Sequence, residues 1–446
     1  MRHASRAGGL LLLAMSCAPA FAADSLVAFW SAVRQSDPRL QMARVREDVA
    51  HARAQKGLST LLPQAAAQVS RTRTGTERNG PVALGGGRND YNGERYALSL
   101  QQPLLDIPHW RGYQADKALV EQTDQESLRA LGDLRLEALE RYLDAAIAGE
   151  RLRLARQEEE TAEAQALRIR ALQERQLAKV TDALLAEARR DGLHARRLRA
   201  EAELQVALGA LSTLAGGEAV MPRSLDESQP LPLLDPALAG WQQRASSQNT
   251  DLLARQAAEA RFTLLLSSER ARHLPTLSVQ ASTQDTNIGY DNFFSPRTSS
   301  GVFGITLSVP LYQGGGQQAA VHEALGELHL AELESAQAHR RLELAVREAL
   351  LLAQGLHAQA DAAQVVVSST EKALAASERG YQVGAATLGE VFDARRDVFS
   401  ARRDQAEVRL EYLRQWARLL RTCEELDDVA LRTVDRLLRV EVPQGL

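Results

Sequence analysis

The chain has almost no means of cross-linking itself and none of crossing a membrane as a helix. It holds two cysteines, Cys17 and Cys423. Cys17 lies in an N-terminal stretch that reads as a removable signal, so the mature chain keeps only Cys423. No intrachain disulfide can then form, even in an oxidising compartment. No later segment holds about eighteen uncharged apolar residues in a row, the minimum for a spanning helix. If the mature protein enters a membrane, it must do so as a β-barrel. The formal net charge is −4. Residues 1–22 contain two Arg and no acid, so their removal takes it to −6. A negative balance gives no footprint for nucleic acid.

Chemistry is equally scarce. The Gly triplets 85–87 and 314–316 lack a following Lys-Ser/Thr, so they read as loops rather than phosphate cradles. There is no nucleophile elbow and no paired-carboxylate cleft. His322 and His329 share a helix face but stand too far apart to chelate one ion, and the remaining histidines form no metal motif. No catalytic residue, metal or cofactor is expected.

What is present begins with the signal. Arg2 and Arg6 precede an apolar run, Leu10–Ala14, and then Ala20-Phe21-Ala22, a small-residue cleavage site that starts the mature chain at Ala23. Ala14-Met15-Ser16-Cys17 is a poor lipid-attachment box, and lipidation of Cys17 is the alternative.

The mature chain repeats itself. Residues 188–204 and 394–410 are identical at ten of seventeen positions, at an offset of 206. Leu40–Pro63 matches Leu252–Pro275 at an offset of 212, and residues 98–106 match 305–313 at 207. Shared punctuation over about 200 residues is a tandem duplication of one structural unit.

Each half has the same order of parts. A helix-like stretch, 24–60 or 236–272, is stopped by Leu62-Pro63 or Leu274-Pro275. Two alternating runs follow, with Gly/Asn/Ser-rich loops at 74–93 and 284–300. The spacing predicts β-hairpins at about 64–102 and 276–309, each run roughly 9–10 residues, the length of a transmembrane strand. The other reading is a half-buried hairpin in a soluble protein.

A long helix then runs from about Trp110 to Arg175, and from about Gln317 to Arg379. Breaks at 176–181 and 380–387 precede further helices to about Leu214 and Leu420. A 65-residue helix spans about 98 Å. Helices that long and that poor in aromatics must pack side by side as coiled coils. The expected organisation is a signal (1–22), a first repeat (23–214), a linker (215–236), a second repeat (237–421) and a C-terminal segment (422–446). The linker and tail are expected to form an equatorial belt. Four strands cannot enclose a water-filled lumen. Three chains would supply twelve. The expected fold is therefore mainly α, with duplicated coiled-coil hairpins and a transmembrane β-barrel shared by a trimer.

Six stretches carry a resemblance: S-D-P-R-L (36–40), L-L-P-Q (61–64), L-S-L-Q-Q-P-L-L-D (98–106) with Trp110, H-L-P-T-L-S-V-Q-A-S-T (273–283), V-P-L-Y-Q-G-G (309–315) and G-Y-Q-V-G-A-A-T-L-G-E-V-F-D-A (380–394). In these, and in their order, the chain resembles the TolC family of outer-membrane export ducts. The resemblance implies a homotrimer seated in outer-membrane lipid, with a twelve-stranded barrel and an α-helical tunnel across the periplasm. It also implies a periplasmic adaptor and an inner-membrane ABC transporter or proton-driven pump as partners.

The family's acidic gate rings fall on Glu390 and Asp393, three residues apart on one helix face. At the 206 offset the first half has Leu184 and Glu187 there. One latch pair falls on Tyr381 and Asp182. The family's latch Arg falls on Ala386, while its partner position Thr181 is kept. Adaptor docking falls on the tip turns, Gln176, Leu177 and Ala178 in the first and Val383 and Gly384 in the second. The implied function is an exit duct for type I protein secretion. The alternatives are a duct for drug efflux and, outside transport, a periplasmic coiled-coil scaffold without a pore.

Overall fold

The computed structural model describes residues 25–78, 87–218, 220–226, 229–288 and 294–439. The expected signal peptide, Cys17 included, lies outside them. In chain order the elements are α1 (Leu26–Ser36), α2 (Pro38–Ser59), β1 (Gln64–Arg78), β2 (Gly87–Leu105), α3 (Ile107–Glu174), α4 (Val180–Leu214) and β3 (Ser224–Leu225). They continue with α5 (Leu238–Gln248), α6 (Thr250–Ala271), β4 (Thr276–Ile288), β5 (Phe294–Ser308), α7 (Gly316–Gln382), α8 (Leu388–Thr422), α9 (Asp428–Arg436) and β6 (Leu438–Arg439).

The helix expected over 24–60 is two helices, and so is the one over 236–272. The cause is local. Asp37 is in extended backbone and accepts from the Arg39 amide at 2.7 Å, with Pro38 at the first helical position. Asn249 likewise accepts from the Leu252 amide at 3.1 Å and opens α6. A capping side chain satisfies an amide that the helix leaves free, and proline suits the first turn. Burial pushes the Asp37 carboxyl up, but hydrogen bonds from the Arg39 side chain and backbone outweigh it and hold the group below its ordinary value.

The four long strands form one antiparallel sheet in the order β1-β2-β4-β5. They are 15, 19, 13 and 15 residues long, beyond the expected 9–10. Polar stretches such as Thr72-Arg73-Thr74, which read as loop, continue the ladder because each has a partner: Thr72 opposes Gly93 and Thr74 opposes Tyr91.

The register sorts the two faces. Ala65 opposes Leu100, Leu100 opposes Ala281, and Ala281 opposes Phe303, so an apolar row crosses all four strands. Phe303 is 74% exposed and Ile305 64%. The opposite face carries Gln68, Ser70, Ser99, Ser278 and Gln280. β1 and β5 lie at the edges of this sheet, with no neighbour on their outer sides among the described residues.

No described helix is long and apolar enough to cross a membrane. α3 has 68 residues and α7 has 67, each about 100 Å long. α4 packs along α3, α8 along α7, and α2 and α6 flank α3 on its strand-proximal part. Alanine lines many of these contacts, among them Ala138, Ala145, Ala349, Ala353, Ala406 and Ala417.

The large side chains gather midway. Phe29, Trp30, Tyr142, Leu350, Tyr412, Leu413, Leu431 and Val434 form the main core. Its cover is the pairing of β3 with β6, which ties the inter-repeat link to the C-terminal segment. The Arg223 amide donates to the Tyr142 hydroxyl at 3.0 Å, and Arg223 pairs with Asp435 at 3.3 Å. Asp435 in turn accepts from the Leu26 amide at 2.9 Å. The buried Tyr412 hydroxyl donates to the Pro232 carbonyl.

Burial pushes Tyr412 up to about 12, from an ordinary value of 10.0. A folded value above the unfolded one makes the retained proton stabilising below pH 10, by about 2–3 kcal/mol. That contribution is lost as pH rises through 10 to 12. Helicity followed by circular dichroism should therefore fall more steeply over pH 10–12 in the wild type than in Tyr412→Phe, which loses about 1 kcal/mol at neutral pH with its hydrogen bond. Parallel alkaline curves would contradict this.

Candidate functional site at the helical tip

Both coiled coils turn at the end remote from the strands, and both turns are built alike. α3 ends in a loop in which the Leu177 amide bonds back to the Leu172 carbonyl at 2.8 Å, with Gln176 at φ 60°. α7 ends with the Ala385 amide on the Gly380 carbonyl at 2.8 Å, with Gly384 at φ 79°. This is the left-handed cap that glycine favours, and in the first turn a glutamine fills it.

The next helices start three residues later, from Lys179 and from Thr387. The two tips thus correspond two residues further along than the 206 offset of the helices. In this register Glu390 matches Asp182 and Asp393 matches Leu185, not Leu184 and Glu187. The reason is that residues 176–188 are two longer than 384–394, and a repeat match inside the helix cannot see that difference.

Glu390 is exposed and belongs to a capping box. Its amide donates to Thr387 Oγ1 at 3.3 Å, and the Thr387 amide donates to Glu390 Oε2 at 3.2 Å. Asp393 is 65% exposed and pairs with Arg396 at 2.9 Å. Arg396 also reaches Asp397 at 3.1 Å. Thr181 is exposed and Asp182 half-buried in the first turn of α4. Tyr381 is half-buried, and among the described residues no side-chain hydrogen bond joins it to Asp182. Leu177 and Val383 are 72% and 79% exposed at the outermost points of the turns, with Gln176 and Gly384 exposed beside them. Ala178 points the other way, against the coil.

Sequence reasoning missed what lies beneath these turns. Leu388 and Phe392 of the second coil share a buried apolar cluster with Ala166, Ile169, Ala183 and Ala186 of the first, and Ala178 and Tyr381 pack on it. The spacing Leu388, Phe392, four apart at the start of an amphipathic helix, was the available signal. Also missed were ion-pair rungs within each coil. Glu378 meets Arg395 at 2.5 Å and Glu371 meets Arg402 at 2.6 Å in the second. Arg170 meets Glu187 at 3.5 Å and Glu158 meets Arg189 at 3.6 Å in the first. Among the described residues no cluster of His, Cys, Asp or Glu is arranged to hold a metal ion.

The capping box separates the structural from the electrostatic role of Glu390. Thr387→Ala should fray the first turn of α8 at a cost of about 1 kcal/mol, seen as faster hydrogen exchange at the Glu390 amide. Glu390→Gln keeps an acceptor and should leave that amide protected. Equal exchange in all three proteins would contradict the capping role.

The comparisons with known proteins agree with this architecture. A family described as "Outer membrane efflux protein" matches residues 30–217 and 241–423. The chain is 26% identical over 416 residues to the alkaline protease secretion protein AprF of Pseudomonas aeruginosa, covering 90% of this chain and 84% of that one. It is 25% identical over 414 residues to the proteases secretion protein PrtF of Dickeya chrysanthemi, covering 91% and 89%. The crystal structure of the outer membrane protein VceC of Vibrio cholerae superposes with a TM-score of 0.77 at 16% identity, over 89% of this chain and 95% of that one, a likeness of fold. With the family match falling on both halves and covering most of its length, the chain belongs to the outer membrane efflux protein family, the TolC-like ducts that its motifs resemble.

Proposed function

We propose that this protein is the outer-membrane exit duct of a tripartite export machine for type I protein secretion. Three copies join their sheets into a twelve-stranded barrel, and their helices continue the barrel as a tunnel into the periplasm. The observation that carries this reading is the sheet itself. It presents an apolar face of exposed Val69, Leu98, Leu100, Phe303, Ile305 and Leu307, a small polar face behind it, and two open edges. An exposed apolar row of that extent belongs against lipid, and open edges belong against another strand.

The tip is the entrance. In a trimer Glu390 and Asp393 would bring six carboxylates near one axis, where they attract cations. Exposed Leu177, Val383, Gln176 and Gly384 offer the surface for a periplasmic adaptor, with Ala178 contributing from behind. The chain acts as a passive duct, and an energised inner-membrane partner supplies the work. The relatives named for protease secretion support a protein cargo, and the energised partner of this reading is an ABC transporter. A second reading, efflux of small molecules with a proton-driven pump, is supported by the family description. A scaffold without a pore would leave the apolar strand face without a use.

Planar-bilayer recording on the purified full-length protein tests the duct. The expected result is a small, cation-selective conductance. Glu390→Gln with Asp393→Asn should keep the conductance and reduce its cation preference. No conductance from an intact oligomer would overturn the reading.

A further inference from the structure

We propose that, within each chain, the entrance is held by an apolar clasp between its two coils, with no polar bond between those two coils taking part. This deepens the duct reading and rests on it. Near the tip, residues 160–190 of α3 and α4 face residues 371–400 of α7 and α8. Among the described residues no side-chain hydrogen bond or ion pair joins these two stretches. Every charge that forms a pair there does so within its own coil: Arg170 with Glu187 in the first, and Glu378 with Arg395, Glu371 with Arg402 and Asp393 with Arg396 in the second.

What crosses the gap is apolar. Leu388 and Phe392 are 5% and 9% exposed, and the seat they enter is made of Ala166, Ile169, Ala183 and Ala186, at 4%, 2%, 8% and 1%. The small alanines leave room at this crossing for the larger Ile169, Leu388 and Phe392 side chains of the same cluster. Tyr381 packs on the same cluster, while among the described residues its hydroxyl makes no hydrogen bond. Separating the two coils here must expose this cluster to water, and that cost opposes opening.

The capping box at Thr387 and Glu390 fixes where α8 starts, and therefore where Leu388 and Phe392 point. A partner that loosens the clasp needs no charge to do so. It must only offer the two side chains another apolar seat, and the exposed Leu177 and Val383 mark the turns at which such a partner would arrive.

The test is single-channel recording of full-length trimers at 0.1 M and 1 M KCl. Phe392→Ala and, separately, Leu388→Ala should raise the resting conductance severalfold, while Phe392→Leu and Tyr381→Phe should leave it at the wild-type level. High salt screens ion pairs but leaves apolar contacts in place, so the ratio of variant to wild type should not change with salt. A rise in Tyr381→Phe equal to that in Phe392→Ala, or a salt-sensitive ratio, would replace the clasp with a polar latch. Wild-type conductance in both alanine variants, with the trimer intact on native gels, would also overturn it. No conductance from any protein, wild type included, would instead overturn the duct reading, and the clasp with it.

Discussion

The structure depends on one unmet demand, the backbone of the two edge strands. β1 and β5 present rows of N–H and C=O groups on their outer sides that have no strand partner among the described residues, and the face between them is apolar and exposed. In lipid such groups cannot turn to water. Only closure against further strands satisfies them, and four strands are too few to close around a lumen. The demand therefore fixes both the environment and the need for other chains.

The rest follows from lengths. α3 and α7 each continue from a barrel strand, and each runs about 100 Å before its turn. Helices of that length cannot share one compact core. They pack in pairs, and alanine keeps those pairs close. The large side chains are concentrated where the linker and tail cross the bundle, around Tyr142, Tyr412 and Trp30. At the tip the described residues form a second, smaller apolar cluster around Leu388 and Phe392. On the proposed reading this is the end that opens, and a small cluster is exposed there at less cost than the main core.

Much of this was legible. The duplication showed in A-R-R-D and in the Leu-Pro stops, and the long helices showed in residue stretches without Gly or Pro. Helix breaks at Asp37 and Asn249 were legible too, since Ser-Asp-Pro and Asn-Thr-Asp are capping sequences, but the even composition on either side masked them. Strand ends were not legible, because Thr72-Arg73-Thr74 pairs through its backbone and shows no apolar alternation. The tip was half legible. Glu390 and Asp393 stand out as acids on one face. Their correspondence with the first half was misread because the two turns differ by two residues, and the cluster of Leu388 and Phe392 with Ala183 and Ala186 joins residues about 200 apart through nothing but shape.

The central claim is that β1 of one copy pairs with β5 of the next. Disulfide trapping tests it directly: a cysteine fixed at Ala67 in β1, against single cysteines moved along β5 from Val302 to Leu307, in a Cys17→Ser background whose remaining native cysteine, Cys423, is buried. The account predicts covalent dimers and trimers at one register, repeating with a period of two, and none from either cysteine alone. Monomers at every position, from protein that is folded and in the outer membrane, would contradict it.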